Sequence, residues 1–166
     1  MRNQLALVTV LAAIAIAGCG GESSAGESNG NAAKTTTAEV PAPTREKPQV
    51  SVPNRPAPKV LVKNDLIDGT GATAKDGDEV SIQYVGVLYK GGGTFASTSW
   101  EAGAPYVFTL GDPGVTEGWN RGIAGMRVGG RRELIIPPRL GFGNQQAGAA
   151  PPNSTLVYVI DLIAVG

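Results

Sequence analysis

Apolar and polar residues alternate along several segments in the C-terminal two-thirds of the chain. Val80, Ile82 and Tyr84 alternate with polar neighbours, and the same two-residue period returns in segments 106–110 and 133–136. Because successive side chains of a strand point to opposite faces, this pattern predicts half-buried β-strands. The last apolar run, residues 156–163, is apolar on both faces, so it predicts a strand in the middle of a sheet.

One segment has the period of a helix. Trp119, Ile123 and Met126 recur at i, i+4 and i+7, with Thr116 as an N-cap and glycines at 129–130 beyond the end. Glycines inside the segment cost about 1 kcal/mol each against alanine, so packing must stabilise this helix. The expected fold class is therefore α+β, with an antiparallel, twisted, roughly five-stranded sheet wrapped over one short helix.

The first 58 residues follow a different pattern. Residues 1–18 contain Arg2, then an apolar run shorter than the ~20 residues of a spanning helix, then small residues, as in a secretion signal. Residues 19–58 are rich in Pro, Ser and Gly and cannot bury enough apolar surface to offset the entropy of ordering. We therefore expect a signal peptide at 1–18, a disordered tether at 19–58 and one domain at 59–166.

The end of the predicted signal, Ile16-Ala-Gly-Cys19, resembles the lipobox of bacterial lipoproteins. The resemblance implies cleavage before Cys19 and acyl chains on that residue, and two or more chains anchor a protein stably. We expect an exported protein that is lipid-anchored to the cell envelope membrane. A plain signal peptide with an incidental cysteine is the alternative.

Composition and charge exclude several classes of chemistry. The formal net charge is +0, and the longest basic cluster is Arg131-Arg132, so nucleic-acid binding is not expected. The chain has no histidine, which excludes Ser-His-Asp catalysis and His-based zinc sites. Its one cysteine cannot form an internal disulfide. Any catalysis must therefore work without imidazole.

From about residue 61 to residue 165, the chain resembles the FKBP domain. The resemblance rests on ordered motifs, which are VSIQYVGVL at 80–88, YVFTLG at 106–111, VTEGWNRGIAGMRVG at 115–129, GFG at 141–143 and PPNSTLVY at 151–158. The family is known for peptidyl-prolyl cis-trans isomerisation and for macrolide binding. The resemblance therefore implies an isomerase whose partners are proline-containing polypeptide segments and macrolide ligands.

The resemblance also implies an aromatic pocket. Carried over by motif position, the expected catalytic residues are Tyr84, Phe95, Val115, Trp119, Phe142 and Tyr158. The expected substrate-binding residues are Tyr106, Phe108, Thr116 and Ala96. In the family the tryptophan forms the pocket floor, and the residue at the position of Thr116 binds a ligand carbonyl through its backbone N–H.

Some positions depart from the family pattern. Ala96 stands where the family usually has an aspartate, and Thr98 or Ser99 is the nearest hydroxyl that could replace it. Phe142 stands where a tyrosine usually donates a hydrogen bond, and the loop 144–150 has small residues where larger apolar groups are common. We expect a slower catalyst, or weaker macrolide binding, than in the better-known members.

An apolar pocket can catalyse this reaction without a nucleophile. Rotation about an X-Pro bond breaks amide resonance, and the twisted amide has a smaller dipole than the planar one. A desolvating pocket therefore favours the transition state, and no cofactor or metal is needed. Two alternatives stay open: a binding module that holds proline segments without catalysis, and a structural envelope protein whose aromatics are only core. We expect a monomer.

Overall fold

Five strands form one antiparallel sheet in the computed structural model, which describes residues 45–91, 93 and 98–166. The strands are β1 (Val62–Ile67), β2 (Glu79–Leu88), β3 (Tyr106–Thr109), β4 (Arg131–Ile136) and β5 (Leu156–Val165). The helices are α1 (Ser99–Ala102) and α2 (Glu117–Ile123), with a single 3₁₀ turn at Pro138–Leu140. The α+β prediction is confirmed.

The strand order is β1-β4-β5-β2-β3, so β5 lies in the centre of the sheet as predicted. It pairs with β2 on one side and β4 on the other, and its side chains are buried from Leu156 to Leu162. Two elements were not predicted. The edge strand β1 exposes most of its side chains, and α1 is a single turn. Helix α2 also ends earlier than Met126, at Ile123.

Helix α2 lies directly on β4 because two of its residues have no side chain. A Cβ atom at Gly118 would overlap the side chain of Ile136, and one at Gly122 would overlap Leu134. The glycines therefore allow the helix and sheet to approach closely, which offsets their low helix propensity. The Arg132 guanidinium donates to the carbonyl oxygen of Gly122 at 2.7 Å, which satisfies a carbonyl in the last turn.

We call the face of the sheet that α2 covers the inner face. Its buried residues come from α2, from the turn after it and from alternate positions of β2, β4 and β5. They include Val80, Ile82, Trp119, Ile123, Met126, Leu134, Ile136, Leu156, Tyr158, Ile160 and Leu162. This cluster forms the main hydrophobic core.

The opposite, outer face carries a second buried cluster, and the chain itself covers it. Its buried members are Val85, Val87, Tyr89, Ile135 and Val157. Residues 45–58, which we call the strap, have no helix or strand but place Val50, Val52 and Ala57 against this cluster. The strap therefore corrects the predicted disordered tether at its C-terminal end, because these side chains are packed on the sheet.

Polar contacts hold the start of the strap. The Lys47 ammonium lies 2.8 Å from the Glu101 carboxylate of α1, and Arg131 donates to the carbonyl oxygen of Glu46 at 3.0 Å. Arg131 also makes a two-pronged ion pair with the buried Asp161, at 2.6 and 2.7 Å. Such paired geometry orients the guanidinium, so the contact to the strap carbonyl has a fixed position.

Within the described residues, no helix has the length and apolar character needed to cross a membrane. Cys19, the predicted signal peptide and the first part of the predicted tether lie outside those residues.

A candidate aromatic cleft

A cleft of about 230 Å³ opens on the inner face beside α2. Its lining comes from β2, β3, β5, the loop before α2 and the segment after the 3₁₀ turn. The lining residues are Tyr84, Tyr106, Gly114, Val115, Thr116, Trp119, Phe142 and Tyr158. All of them except Gly114 belong to the site set that the resemblance implied, so the structure brings these residues around one hollow.

Trp119 is the centre of the ring cluster. Its indole is 7 % exposed, and its ring centroid lies 4.9 Å from Tyr84, 5.1 Å from Tyr158 and 5.9 Å from Tyr106. All three neighbours meet it edge to face, an arrangement that aromatic pairs favour. The indole therefore forms the floor of the cleft.

The remaining members of the implied set are not among the lining residues that the structure describes. Phe108 is not among the lining residues; its ring lies 5.8 Å from Trp119 and 5.6 Å from Tyr106, so it supports those two rings. Phe95 and Ala96 fall outside the described residues.

Strand pairing and α1 position the tyrosines. Gly86 of β2 pairs with Tyr158 of β5. The Ser99 hydroxyl accepts a hydrogen bond from the backbone N–H of Tyr84 at 2.8 Å and donates to Gln83 at 2.6 Å. Since Ser99 is 4 % exposed, this pair of bonds fixes α1 against β2 next to the cleft.

The two hydroxyls that could have replaced the family aspartate are both engaged in structure. Thr98 is the N-cap of α1, where its side chain accepts from the N–H of Glu101 at 3.3 Å, and Ser99 bonds to β2. Both residues are buried. Neither residue is among those that line the cleft, and the Ser99 hydroxyl already donates to Gln83.

Hydrogen bonds to α2 order the loop at residues 111–116. The Asn120 side chain accepts from the N–H of Gly111 at 3.0 Å and donates to the carbonyl oxygen of Asp112 at 3.1 Å. The Asp112 carboxylate then accepts from the N–H of Gly114 at 2.6 Å. This network holds the rim of the cleft, and sequence patterns gave no signal for it because it depends on loop geometry.

Thr116 is the N-cap of α2, as predicted, but its side chain makes no capping bond. Its carbonyl oxygen accepts from Trp119 and Asn120, whereas its N–H donates to none of the described residues. An N-cap N–H has no partner within its helix. This donor at the cleft wall is therefore available to a bound carbonyl.

The cleft is electrically neutral. Burial raises the pKa of the Tyr158 hydroxyl well above its ordinary value, and the neighbouring Tyr84 raises it further. Burial also raises the pKa of Tyr84, with a smaller contribution from Tyr106. Because a raised pKa favours the protonated phenol, both rings stay uncharged at neutral pH. Apart from its three tyrosines, the described lining of the cleft contains no ionisable side chain.

One buried polar atom of the cleft's central ring has no partner among the described residues, and these residues form no metal site. The Trp119 Nε1 is buried and has no hydrogen-bond partner among the described residues. The same residues contain no group of three His, Cys, Asp or Glu side chains that could hold a metal ion. The arrangement can therefore enclose and desolvate a small group, and the backbone N–H of Thr116 can donate a hydrogen bond to it.

The chain is similar in sequence to proteins of one known family. The family model for FKBP-type peptidyl-prolyl cis-trans isomerase matches residues 71–163. A Streptomyces anulatus FK506-binding protein is 45% identical over 122 residues, which cover 72% of this chain and 98% of that protein. A probable FK506-binding protein of Corynebacterium glutamicum is 47% identical over 119 residues, covering 72% and 98%.

Solved structures share the fold. AtFKBP13 superposes with a TM-score of 0.60 at 34% identity, covering 66% of this chain and 96% of that structure. FkpA from Escherichia coli has a TM-score of 0.57 at 37% identity, covering 63% of this chain and 47% of that structure.

Proposed function

This chain belongs to the FKBP-type peptidyl-prolyl cis-trans isomerase family, and from that premise we propose that its aromatic cleft isomerises X-Pro bonds of exported proteins at the cell envelope. It is an enzyme of this class, and the family binds proline-containing peptides and FK506-type ligands. The observation that carries the proposal is the single hollow in which Trp119, Tyr84 and Tyr158 meet.

The reaction needs little more than an apolar enclosure. The X-Pro bond rotates over a barrier of about 18–20 kcal/mol because rotation removes amide resonance. The twisted amide has a smaller dipole, so water stabilises it less than the planar form. A cleft that excludes water then binds the transition state better than the ground state, and about 4 kcal/mol of this preference gives a thousandfold acceleration.

The size and polarity of the cleft fit that task. Its volume of about 230 Å³ lies below the roughly 300–1,000 Å³ of drug-sized sites, so it suits a proline ring and its amide better than a whole macrolide. Its rings are neutral, and no charged side chain among the described residues lines it. This environment therefore stabilises a planar, polar amide less than it stabilises a twisted one.

We assign the residues to two roles. The catalytic enclosure consists of Tyr84, Phe95, Val115, Trp119, Phe142 and Tyr158. Substrate binding uses Tyr106, Phe108, Ala96 and the backbone N–H of Thr116. For the residues that line the cleft, support comes from that shared lining and from the open N–H at the N-cap of α2. Phe108 is assigned because it packs against Tyr106 and Trp119, and Phe95 and Ala96 are assigned by family resemblance alone.

We also propose that the protein is a bacterial lipoprotein anchored through Cys19, with residues 1–18 as its signal peptide and the segment from 19 to the strap as a spacer. Support comes from the sequence Ile16-Ala-Gly-Cys19 and from the polar, proline-rich composition that follows it. In this arrangement a monomer assists folding of exported proteins near the membrane and binds macrolides weakly, because Phe142 supplies no hydroxyl to the cleft.

A prolyl-peptide isomerisation assay on the full chain tests catalysis. We expect acceleration at substoichiometric enzyme and a loss of at least about tenfold in kcat/KM for Trp119→Ala, which removes the floor of the cleft. Trp100→Ala is the matched control, because Trp100 packs in the outer cluster. Activity is compared per folded molecule, since removing a large aromatic costs about 3–5 kcal/mol of stability.

A non-catalytic holder of proline segments is the second candidate. It is favoured by Phe142, which lines the cleft without a hydroxyl. If the full chain binds a proline peptide but leaves its isomerisation at the background rate, this candidate replaces the enzyme. Equal losses of activity in the Trp119 and Trp100 variants would instead show that the cleft has no special role.

A further inference from the structure

A second depression continues from the aromatic cleft. It has a volume of about 620 Å³ and shares four lining residues with the cleft: Gly114, Val115, Thr116 and Phe142. Beyond that shared wall the lining becomes polar and includes Glu117, Asn120, Arg139 and Gln145. A chain that leaves the cleft across this wall enters the depression, which we call the flank groove.

Two polar side chains of the flank groove are already paired. Both ends of the Asn120 amide bond to the loop at residues 111–112. Glu117 forms an i,i+4 ion pair with Arg121 at 2.5 Å, which offsets its charge. These groups therefore stabilise the walls of the groove and have little capacity left for a ligand.

Arg139 is different. It lies in the 3₁₀ turn and is exposed, and its only side-chain hydrogen bond among the described residues is a long one, 3.4 Å from Nε to the carbonyl oxygen of Lys59. It forms no ion pair with any carboxylate in the described part of the chain. Its terminal guanidinium nitrogens thus have no acceptor among the described residues, and a guanidinium matches a carboxylate in geometry.

On the basis of the proposed isomerase function, we propose that the flank groove holds residues on one side of the substrate proline, and that Arg139 selects an acidic side chain there. A peptide whose proline lies over Trp119 can pass between Thr116 and Phe142 into the groove. At about 3.3–3.6 Å per extended residue, a flank of two or three residues is enough to cross a groove of this size. The substrate class is therefore a proline segment with a nearby Asp or Glu.

Matched peptides test this selection. The full chain is assayed with a neutral proline peptide carrying Gln, and with peptides in which Glu replaces that Gln within three residues before or after the proline. We expect kcat/KM to rise by roughly two- to fivefold for Glu on one side, which is the range of an exposed ion pair. The preference should disappear at about 1 M salt, where the Debye length is about 3 Å.

Variants attribute the effect to one side chain. Arg139→Gln should bring the Glu-to-Gln ratio to about one, and Arg139→Glu should invert it. Arg55→Gln is the control, since it removes the same charge from an exposed residue of the strap that does not line the groove. The ratio in this control should match that of the unaltered chain.

The possible failures can be told apart. If the neutral peptide is isomerised but Glu gives no advantage on either side, or if the advantage survives Arg139→Gln, the flank groove does not select acidic segments and the isomerase function stands. If no peptide is isomerised above background, both the function and the selection are overturned.

Discussion

The inner face of the sheet is covered by a helix, and the outer face by an extended segment of chain. Helix α2 has 7 residues and spans about 10 Å, whereas the central strand β5 has 10 residues and spans about 33 Å. The strap at residues 45–58 has no helix or strand and one tight turn, where the N–H of Arg55 donates to the carbonyl oxygen of Pro53. It can reach at most about 40 Å at roughly 3.1 Å per residue. The helix is therefore too short to cover the whole inner face, whereas the strap is long enough to cross the outer face.

The uncovered part of the inner face is where the cleft lies. Large rings from β2, β5 and α2 surround it, so the face is closed at the sides but stays open above Trp119. The outer cluster consists mostly of aliphatic groups under the strap. The difference indicates that activity depends on the uncovered part of the inner face, while the hydrophobic clusters on both faces contribute to stability.

Substitutions of two adjacent residues of β4 are expected to give the largest difference in activity between the two faces. Leu134 is 0 % exposed and faces α2, and Ile135 is 1 % exposed and faces the outer cluster. Leu134→Ala and Ile135→Ala should each lower the free energy of unfolding by about 2–5 kcal/mol in urea titrations. Only Leu134→Ala should also lower kcat/KM, because Leu134 lies against Gly122 and supports the helix that carries Trp119.

Activity in this experiment is normalised to the folded fraction, measured by circular dichroism at the assay temperature. A fall of about tenfold or more is expected for Leu134→Ala, since small misplacement of a catalytic group is costly. Equal kcat/KM values for the two variants would show that the helix position is insensitive to the sheet beneath it.

A smaller effect is expected from removing the strap. A chain that begins at Lys59 loses the contacts of Val50, Val52 and Ala57, all half-buried, and should be less stable by about 2–3 kcal/mol than a chain that begins at Arg45. The fluorescence of Trp100, which packs against the same cluster, should shift to the red as that cluster becomes exposed, and kcat/KM per folded molecule should change little.

The control for chain length is the double variant Val50→Ser, Val52→Ser in the chain that begins at Arg45. It should reproduce most of the loss, because it removes apolar contacts while keeping the backbone. Identical unfolding free energies for the two chain lengths would mean that the strap adds no net stability.

The sequence predicted the strands whose burial alternates and missed elements whose burial depends on a partner. Strand β5 was predicted as central because it is apolar on both faces. Strand β1 exposes most of its side chains and has little alternation to detect, and its edge position is set by pairing with β4. The strap was assigned to a tether because Val50 and Val52 stand among polar and proline residues, and only the outer face of the sheet gives them a place to pack.

The lining of the cleft followed from family resemblance and not from periodicity. Alternation places Tyr84 and Trp119 toward the core, but it does not distinguish a filled core from a hollow. The details that hold the rim, such as the bonds of Ser99 to β2 and of Asn120 to the loop before α2, depend on loop geometry. The position of a polar residue on a short helix does not reveal in the sequence which backbone groups its side chain will bond.

The smallest effect concerns pH. Burial raises the pKa of Tyr84 and of Tyr158 above the ordinary value of 10.0, so both phenols remain protonated up to and beyond that pH. A group whose folded pKa is raised contributes stability that is fully present below the unfolded pKa and is lost as the pH rises through the folded pKa. Neither ring therefore titrates between about pH 6 and about pH 9.

On the other side of the molecule, the hydrogen bond from Arg132 lowers the pKa of Asp65 below 3.8. A lowered carboxyl pKa contributes stability that is present above the unfolded value and is lost as the pH falls through the folded one, so this loss lies in acid. The chain has no histidine, so it contains no imidazole that could act as an acid or base near neutrality. We expect kcat/KM to vary by less than about twofold between pH 6 and pH 9, measured at constant ionic strength with a neutral proline peptide. A bell-shaped profile centred near neutrality would contradict this expectation, because it would require a titrating acid or base in the reaction, and catalysis by desolvation alone has none.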